Sequence, residues 1–305
     1  MINGVINIYK EKGYTSHDVV AKLRGILKQK KIGHTGTLDP EAEGVLPVCL
    51  GRGTKLCDHL TDKRKTYEAV LRLGISTDTQ DMTGTVLKER PVCVSEEEVK
   101  NCLNSFLGDQ LQIPPMYSAL KVNGRKLYEL AREGKEIERK PRPVTFYEIT
   151  VEEVALPLVR FTVTCSKGTY IRTLCNDIGE KLGCGGAMEN LIRTRVDRFQ
   201  AEDALKLSEV EKLTREGNIL SYIVSIEEMF SSLEEIHGPA EFDKMLKNGN
   251  SIPAFQEIPD GTRVRMYDSC QRFIGIYEMN KRNRQFRLIT MFCTPEDFGP
   301  GRKEL

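Results

Sequence analysis

One acidic residue in a glycine-rich loop is the strongest candidate for chemistry. Asp39 lies in the segment Gly33-His34-Thr35-Gly36-Thr37-Leu38-Asp39-Pro40, where two glycines and a proline prevent a regular helix. His34 lies upstream of the carboxylate, and Arg52 lies downstream. A carboxylate placed between turns with such neighbours is typical of a built pocket. The alternative is an ordinary turn, with the Asp-Pro pair as turn initiator and His34 on the surface.

Three other kinds of site are poorly supported. The segment Gly51-Arg52-Gly53-Thr54-Lys55 lacks the GxxxxGK[ST] spacing that wraps phosphates. The four histidines show no HExxH or other paired-ligand spacing for zinc, and no GxSxG marks a hydrolase nucleophile. Carboxylate chemistry without a metal is what remains.

A run of arginines indicates a polyanionic partner. Arg172 is expected in the first turn of a helix, and Arg193, Arg195 and Arg198 follow it. Guanidinium groups bind phosphate well, so the run suits a nucleic acid. The alternative is a solvated, charged face.

The elements that position these residues mix strands and helices. The sequence predicts a strand over Val5–Tyr9, a helix that Ser16 caps, and a strand over Tyr67–Leu73 with period-2 alternation. Ser95 and Glu98 form a capping box for a helix that Gly108 closes. Two strands are predicted between Pro143 and Cys165, then a helix over Thr169–Leu182 stopped by Gly183, and a further helix near Glu209–Glu216. The order has no regular βαβ rhythm, which favours an α+β fold on a mixed, mainly antiparallel sheet.

The C-terminal part of the chain has a different character. From about residue 232, short strand patterns alternate with turn signals such as Pro259-Asp260-Gly261, which predicts a small all-β domain. A chain of 305 residues with 39% hydrophobic residues can form one large and one small domain. We therefore expect a catalytic domain at 1–231 and a β domain at 232–305.

Composition indicates the cellular compartment but does not identify the binding partner. The nine cysteines are scattered with no CxxC pair, which predicts reduced thiols in a cytoplasmic protein. No leader and no apolar run of about 20 residues is found, so no membrane association is expected. A net charge of +1 neither favours nor excludes nucleic acid, because opposite charges can occupy different faces.

Four stretches in order resemble the bacterial tRNA pseudouridine-55 synthase family, also called TruB. The resemblance is strong from residue 1 to about 200 and faint beyond it. It is carried by residues 33–47, by Lys65-Thr66-Tyr67, by Pro115-Met116-Tyr117-Ser118-Ala119-Leu120-Lys121, and by residues 165–172.

The resemblance implies a pseudouridine synthase catalytic domain followed by a PUA-like β domain that would dock on the acceptor end of tRNA. The implied reaction detaches uracil from its ribose in the tRNA T-loop, turns it, and rejoins it through C5, with no metal and no organic cofactor. Asp39 would begin this reaction as a base or as a nucleophile on a flipped nucleotide. Arg172 would pair with Asp39 and keep it ionised. Tyr67 would stack on uracil and relay the proton lost from C5.

The resemblance also implies substrate-binding residues. His34 would fill the gap that the flipped base leaves in the RNA stack, and Tyr170 and Leu191 would line the pocket. Lys10 and Arg52 are expected to contact phosphates. The family often has a proline after the lysine equivalent to Lys10; here Glu11 follows, which we expect to soften the turn without loss of activity.

Two other functions stay open at this point. A guide-RNA-dependent synthase subunit shares the catalytic motifs, but a larger PUA region and a longer basic tail would be expected, whereas this chain closes with Gly301-Arg302-Lys303-Glu304-Leu305. A non-catalytic tRNA-binding or RNA-folding module would not need Asp39, Tyr67 and Arg172 together. We expect a stand-alone, monomeric enzyme.

Overall fold

The computed structural model describes residues 1–122 and 124–298, which form strands and helices in irregular order. The α-helices are α1 (Ser16–Ile26), α2 (Cys57–Thr61), α3 (Glu96–Asn104), α4 (Leu127–Arg132), α5 (Ile171–Lys181), α6 (Leu207–Arg215) and α7 (Asp243–Lys247). The strands are β1 (Gly4–Lys10), β2 (Ile32–His34), β3 (Glu43–Leu50), β4 (Lys65–Leu73), β5 (Ile75–Thr77), β6 (Val86–Glu89), β7 (Gly108–Gln112), β8 (Lys121–Val122), β9 (Arg125–Lys126), β10 (Arg142–Ala155), β11 (Leu158–Cys165), β12 (Gly186–Val196), β13 (Phe199–Gln200), β14 (Ile223–Val224), β15 (Glu234–His237), β16 (Ile252–Pro253), β17 (Arg263–Tyr267), β18 (Phe273–Asn280) and β19 (Gln285–Met291).

A ten-stranded sheet forms the centre of the fold. Its order is β14-β1-β3-β12-β4-β11-β10-β7, with β13 paired to β12 and β2 paired to β3. The β12–β3 ladder is parallel and the other ladders of this sheet are antiparallel. The predicted α+β class with a mixed, mainly antiparallel sheet is confirmed.

Strand β4 lies in the interior of this sheet and follows the predicted alternation. Tyr67, Ala69 and Leu71 are buried on one face, whereas Glu68 is exposed on the other. Side chains of a strand alternate between its two faces, so these three residues share one face. That face packs in one core with residues of α5, including Leu174. This packing fixes the face on which Tyr67 lies.

Two predicted helix ends differ from the structure. The N-cap of α1 is Thr15, not Ser16, because Thr15 and Asp18 complete a reciprocal capping box. The capping box of α3 at Ser95 is confirmed, but the helix ends at Asn104. Gly108 therefore does not close it; with φ of +87° it opens β7.

A five-stranded sheet of order β15-β17-β18-β19-β16 follows the large sheet. It has its own apolar core, which includes Val264, Tyr277 and Phe286. The expected all-β region also contains the five-residue helix α7, so it is not purely β. A shared apolar cluster joins Val5 and Val45 of the large sheet to Ile276 and Phe292. The predicted domain ends at residue 305, and its residues 299–305 lie outside the described part.

The nine cysteines are free thiols, as predicted. Within residues 1–122 and 124–298, no helix has the length and apolar character needed to cross a membrane.

Candidate active site

The loop that carries Asp39 joins β2 to β3, and hydrogen bonds hold the residues that precede the carboxylate. The Thr35 amide and hydroxyl both donate to the carbonyl oxygen of Pro47, at 3.2 and 3.1 Å. The Leu38 amide donates to the Ser16 hydroxyl oxygen at 3.0 Å. Because Leu38 immediately precedes Asp39, these bonds fix the backbone from which the carboxylate projects. The sequence-based prediction assigned Ser16 to a helix cap and did not include its hydrogen bond with Leu38.

Arg172 contacts Asp39 directly, as predicted. Its Nε lies 3.0 Å from Oδ2 of Asp39. The Asp39 side chain is 41% exposed, whereas that of Arg172 is 6% exposed. An accessible carboxylate thus rests on a buried guanidinium, which orients the acid and leaves part of it open to a substrate.

The remaining donors of Arg172 are also used. Its Nη1 donates to the carbonyl oxygen of Thr79 at 3.0 Å, and its Nη2 donates to that of Tyr117 at 2.9 Å. A second carboxylate, Asp81, places Oδ2 3.5 Å from Nη1. The guanidinium fork is therefore fixed in plane and direction. Thr79, Asp81 and the Tyr117 carbonyl were not predicted, since no short-range pattern links them to Arg172.

Tyr67 and Leu191 come from adjacent strands and pack in the same apolar cluster as Leu38. Tyr67 is 7% exposed, and burial raises the pKa of its phenol to about 12. The charge of Arg193 lowers the pKa of this phenol, and the charge of Asp39 raises it. The site therefore contains a buried, protonated phenol and an accessible carboxylate, two kinds of group that can take part in proton transfer.

Tyr170 lies at the start of α5, two residues before Arg172. Its amide donates to Oε1 of Gln112 at 2.8 Å, and its carbonyl accepts from Nε2 of Gln112 at 3.0 Å. Burial raises the pKa of its phenol, and the charges of Arg172 and Asp39 also act on it. The predicted pocket residues Tyr67, Tyr170 and Leu191 are therefore brought to the same region as Asp39 and Arg172.

His34 ends strand β2 and is half-buried. Its Nδ1 accepts a hydrogen bond from the Gly36 amide at 3.4 Å, and its ring packs edge-on against His17 with centroids 5.4 Å apart. Burial, followed by the charges of His17 and Arg193, lowers the pKa of His34 to about 4. The ring is therefore neutral near pH 7, which agrees with a flat polar side chain rather than a general acid.

Lys10 does not face solvent. Its side chain is fully buried, and its Nζ donates to the carbonyl oxygens of Tyr14, Pro40 and Glu11 at 2.6, 3.0 and 3.3 Å. Burial lowers the pKa of Lys10 to about 8, and the charge of Asp39 opposes that shift. A phosphate contact would require the ammonium to leave three acceptors at once. The structure instead uses Lys10 to tie the residue after Asp39 to β1.

Arg52 and the predicted arginine run do not form one free basic surface. Arg52 pairs with Asp297 and so links the large sheet to the C-terminal part. Arg198 pairs with Glu228 at 2.9 Å, and Arg195 donates to the backbone of Asp197. Arg193 is 1% exposed and belongs to the interior. Arg193 therefore does not belong to a surface run of arginines, whereas Arg195, beyond a register shift in β12, is exposed.

The fold and these groups define a class of protein: an α+β enzyme whose candidate reactive groups are a carboxylate and a phenol, with an arginine that orients the carboxylate. Within the part of the chain that the structure covers, no cluster of three or more His, Cys, Asp or Glu side chains could hold a metal ion.

Comparison with known proteins identifies the family. A model described as TruB family pseudouridylate synthase (N terminal domain) matches residues 24–171, and one described as tRNA pseudouridylate synthase B C-terminal domain matches residues 172–234. A protein of Lachnoclostridium phytofermentans named tRNA pseudouridine synthase B is 52% identical, over 95% of this chain and 100% of that protein. One of the same name from Clostridium novyi is 47% identical with the same coverage. The chain therefore belongs to the TruB family of pseudouridylate synthases.

Solved structures agree with the fold. The matched chain in a crystal structure of a Cbf5-Nop10-Gar1 complex is 26% identical, with a TM-score of 0.72 over 96% of this chain and 86% of that one. An archaeal box H/ACA sRNP Nop10-Cbf5 complex gives a TM-score of 0.71 at 25% identity, over 98% of this chain and 89% of the matched one.

Proposed function

We propose that this protein is a stand-alone tRNA pseudouridine synthase that converts uridine 55 of the T-loop to pseudouridine. Membership of the TruB family supports the reaction, and relatives with 42–52% identity named tRNA pseudouridine synthase B support the substrate. The observation that carries the proposal is the Asp39–Arg172 pair, an accessible carboxylate held at 3.0 Å by a buried guanidinium.

Asp39 starts the isomerisation in this proposal. Its carboxylate acts at the ribose as a nucleophile or as a base, and the N1–C1′ bond of the uridine breaks. The detached uracil turns in the pocket and forms a new bond from C5 to C1′. The C5 proton then leaves and N1 gains a proton, so product and substrate have the same composition. Arg172 supports this role because it holds the carboxylate in a fixed orientation before the substrate arrives.

Tyr67 is the proposed acceptor of the C5 proton. Its phenol is buried and protonated near neutral pH, so proton uptake from C5 must be coupled to loss of its own proton. The ring offers an aromatic face for uracil, and Leu191 on the neighbouring strand offers an apolar one. Tyr67→Phe separates the two roles, because it keeps the ring and removes the relay.

The RNA must present its target as a flipped nucleotide, since a base stacked in the T-loop does not expose its glycosidic bond to the Asp39 carboxylate. We assign His34 to the vacated position in the RNA stack because its ring is neutral and flat. Tyr170 lines the pocket next to Arg172. The C-terminal β-sheet is assigned to the acceptor end of tRNA. We propose that the enzyme works in the cytoplasm as a monomer.

A tritium-release assay tests the reaction and the target together. Unmodified tRNA labelled at C5 of uridine must lose its label to water when the C5–C1′ bond replaces the N1–C1′ bond. We expect release by the wild type, no release by Asp39→Asn, and no release from tRNA that lacks the T-loop uridine. The exposed Asp203 provides a matched control, since Asp203→Asn makes the same chemical change outside the pocket.

Two alternative functions give different results in that assay. A guide-RNA-dependent subunit would release label only after a guide RNA or protein partners are added; its support is the fold similarity to Cbf5 complexes at 25–26% identity. A tRNA-binding module would bind tRNA tightly and release no label under any condition. The higher identity to the synthase B relatives favours the stand-alone enzyme.

A further inference from the structure

Arg193 is a buried cation that the proposed mechanism has not used. It lies on β12 directly opposite Tyr67 of β4 and beside Gly44 of β3. Its Nε donates to the carbonyl oxygen of Val45 at 2.7 Å, and its Nη2 donates to that of Gly36 at 3.2 Å. One side chain thus contacts both the strand after the Asp39 loop and the loop itself.

Stability alone does not explain an arginine at this position. The residue is 1% exposed, and no carboxylate of the described residues lies within 4.0 Å of its guanidinium. Taking a charge out of water without an ionic partner is costly, and two carbonyl oxygens compensate only part of that cost. An apolar side chain of similar volume would avoid the cost.

Tyr67 is the direct cross-strand partner of Arg193, so the two buried side chains lie on the same face of the sheet. Burial raises the pKa of Tyr67, and the charge of Arg193 opposes this rise. Burial lowers the pKa of Arg193, and Tyr67 opposes this decrease. Cys165 and Lys65 also lie close, and Arg193 acts on both. Lys65 donates to two backbone carbonyls of the α2 end and is already occupied. Among these groups, the phenol is the one that the proposed reaction turns towards an anion.

We propose that Arg193 is a positioning residue that acts through Tyr67: it stabilises the negative charge that develops on the phenol oxygen during removal of the C5 proton. The inference rests on the proposed function. In that step the C5–H bond breaks and its electron pair forms the C5–C6 double bond. The electrons of the C6–N1 double bond move to N1, which takes a proton from water. The C5 proton goes to the Tyr67 oxygen as the phenol's own proton passes to solvent.

The contact with Gly36 gives Arg193 a second positioning effect. Gly36 lies three residues before Asp39, so one guanidinium sets the distance between the loop of the carboxylate and the phenol. A Cβ on Gly36 would meet Lys65 and Arg193 at 3.6 and 3.8 Å, which shows how closely this loop approaches the two cations. The two catalytic groups are therefore connected through Arg193 as well as through the substrate.

The test uses Arg193→Lys and Arg193→Met in the full chain, with tRNA carrying hydrogen or deuterium at C5 of uridine. Loss of one preorganised donor to developing charge typically lowers a rate by about 10²-fold. We expect single-turnover pseudouridine formation to fall about 10²-fold in Arg193→Met and less in Arg193→Lys, with a larger C5 deuterium isotope effect in both than in the wild type. In a Tyr67→Phe background, Arg193→Lys should lower the rate by a smaller factor than in the wild type, because only its effect on the Asp39 loop remains.

A purely structural role gives another pattern. If the rates fall while the isotope effect stays at the wild-type value, or if Arg193→Lys lowers the rate by the same factor in the Tyr67→Phe background as in the wild type, the inference is overturned. Should Arg193→Met fail to fold, Arg193→Lys alone decides by the same two readouts. Arg160→Lys, an exposed change on β11, is the matched control. A wild type that forms no pseudouridine would instead overturn the proposed function.

Discussion

Replacing Arg172 by lysine keeps the positive charge beside Asp39 but removes the planar fork. The guanidinium contacts Oδ2 of Asp39 at 3.0 Å and the carbonyl oxygens of Thr79 and Tyr117 at 3.0 and 2.9 Å. An ammonium on a shorter, non-planar group cannot reach all three acceptors, which lie in different directions. If the lysine ammonium keeps the ion pair with Asp39, the carbonyl oxygens of Thr79 and Tyr117 lose their hydrogen-bond donor. If it donates to one of these carbonyls instead, the Asp39 carboxylate loses the contact that orients it.

The expected losses follow from those contacts. A carbonyl left without a donor costs about 1–3 kcal/mol, and both are only partly buried, so we expect Arg172→Lys to lower the free energy of unfolding by roughly 2–4 kcal/mol. Misplacement of a catalytic group by about 1 Å costs roughly 10²-fold in rate. The single-turnover rate of tritium release should therefore fall about 10²-fold at saturating enzyme, while the Kd for tRNA changes little.

The assay compares Arg172→Lys, Arg172→Met and the control Arg215→Lys. Arg215 makes a pair within α6 to Glu211, and its side chain is 75% exposed, so its replacement should change neither rate nor stability measurably. Urea unfolding gives the stability and filter binding gives the Kd. A rate for Arg172→Lys within about threefold of the wild type, with Arg172→Met inactive, would refute the reasoning, because charge alone would then suffice.

Three further results are expected. The pKa of His34 is about 4 in the folded protein and 6.5 ordinarily, so the unfolded state binds more protons between these pH values. The free energy of unfolding should therefore decrease as the pH is lowered from 6.5 to about 4, by up to about 1.4 kcal/mol per pH unit. Urea unfolding of His34→Gln should lack this decrease. Ser16→Ala and Ser95→Ala should each lower the unfolding free energy by about 1 kcal/mol, but only Ser16→Ala should slow tritium release, since Ser16 holds Leu38. Gly44→Ala, whose Cβ would lie 2.2 Å from the Arg193 carbonyl oxygen, should cost roughly 3 kcal/mol or more in thermal unfolding, whereas Gly13→Ala in open space should cost only backbone strain of about 1 kcal/mol. Equal losses at the two glycines, equal rates for the two serine variants, or an unchanged pH slope in His34→Gln would contradict the respective prediction.

The sequence predicted those parts of the fold that depend on short-range patterns. The alternation of β4 fixed the face of Tyr67, and the Ser95–Glu98 spacing located the start of α3. The start of α1 was also readable, because Thr15 and Asp18 have the capping-box spacing that Ser16 lacks; the prediction chose the wrong one of two adjacent hydroxyl residues. The order of strands in the large sheet could not be predicted from the sequence, because its pairings join residues far apart in the chain.

The same distinction between short-range patterns and long-range contacts applies to the candidate site. Asp39 stood out through its glycine-rich loop and Arg172 through the arginine run, whereas the role of Tyr67 came from the resemblance. The structure pairs Asp39 with Arg172 and packs Tyr67 in the same cluster as Leu38. The environment of Lys10 did not, because the three carbonyl acceptors of its ammonium become neighbours only in the folded chain. A lysine on the last residue of a strand has the same local pattern whether its charge points to solvent or to the interior, so burial had to come from the structure.

The buried cations around the site have different tasks, and the difference explains how Asp39 can be both fixed and accessible. Lys10 and Arg193 bind backbone carbonyls of the loop, at Pro40 and Gly36, on either side of Asp39. They hold the peptide in place and add positive potential without covering the carboxylate. Arg172 alone contacts the acid, and 41% of the Asp39 side chain stays exposed. If all three cations paired with Asp39, the carboxylate would be neutralised and enclosed, and a flipped nucleotide could not reach it.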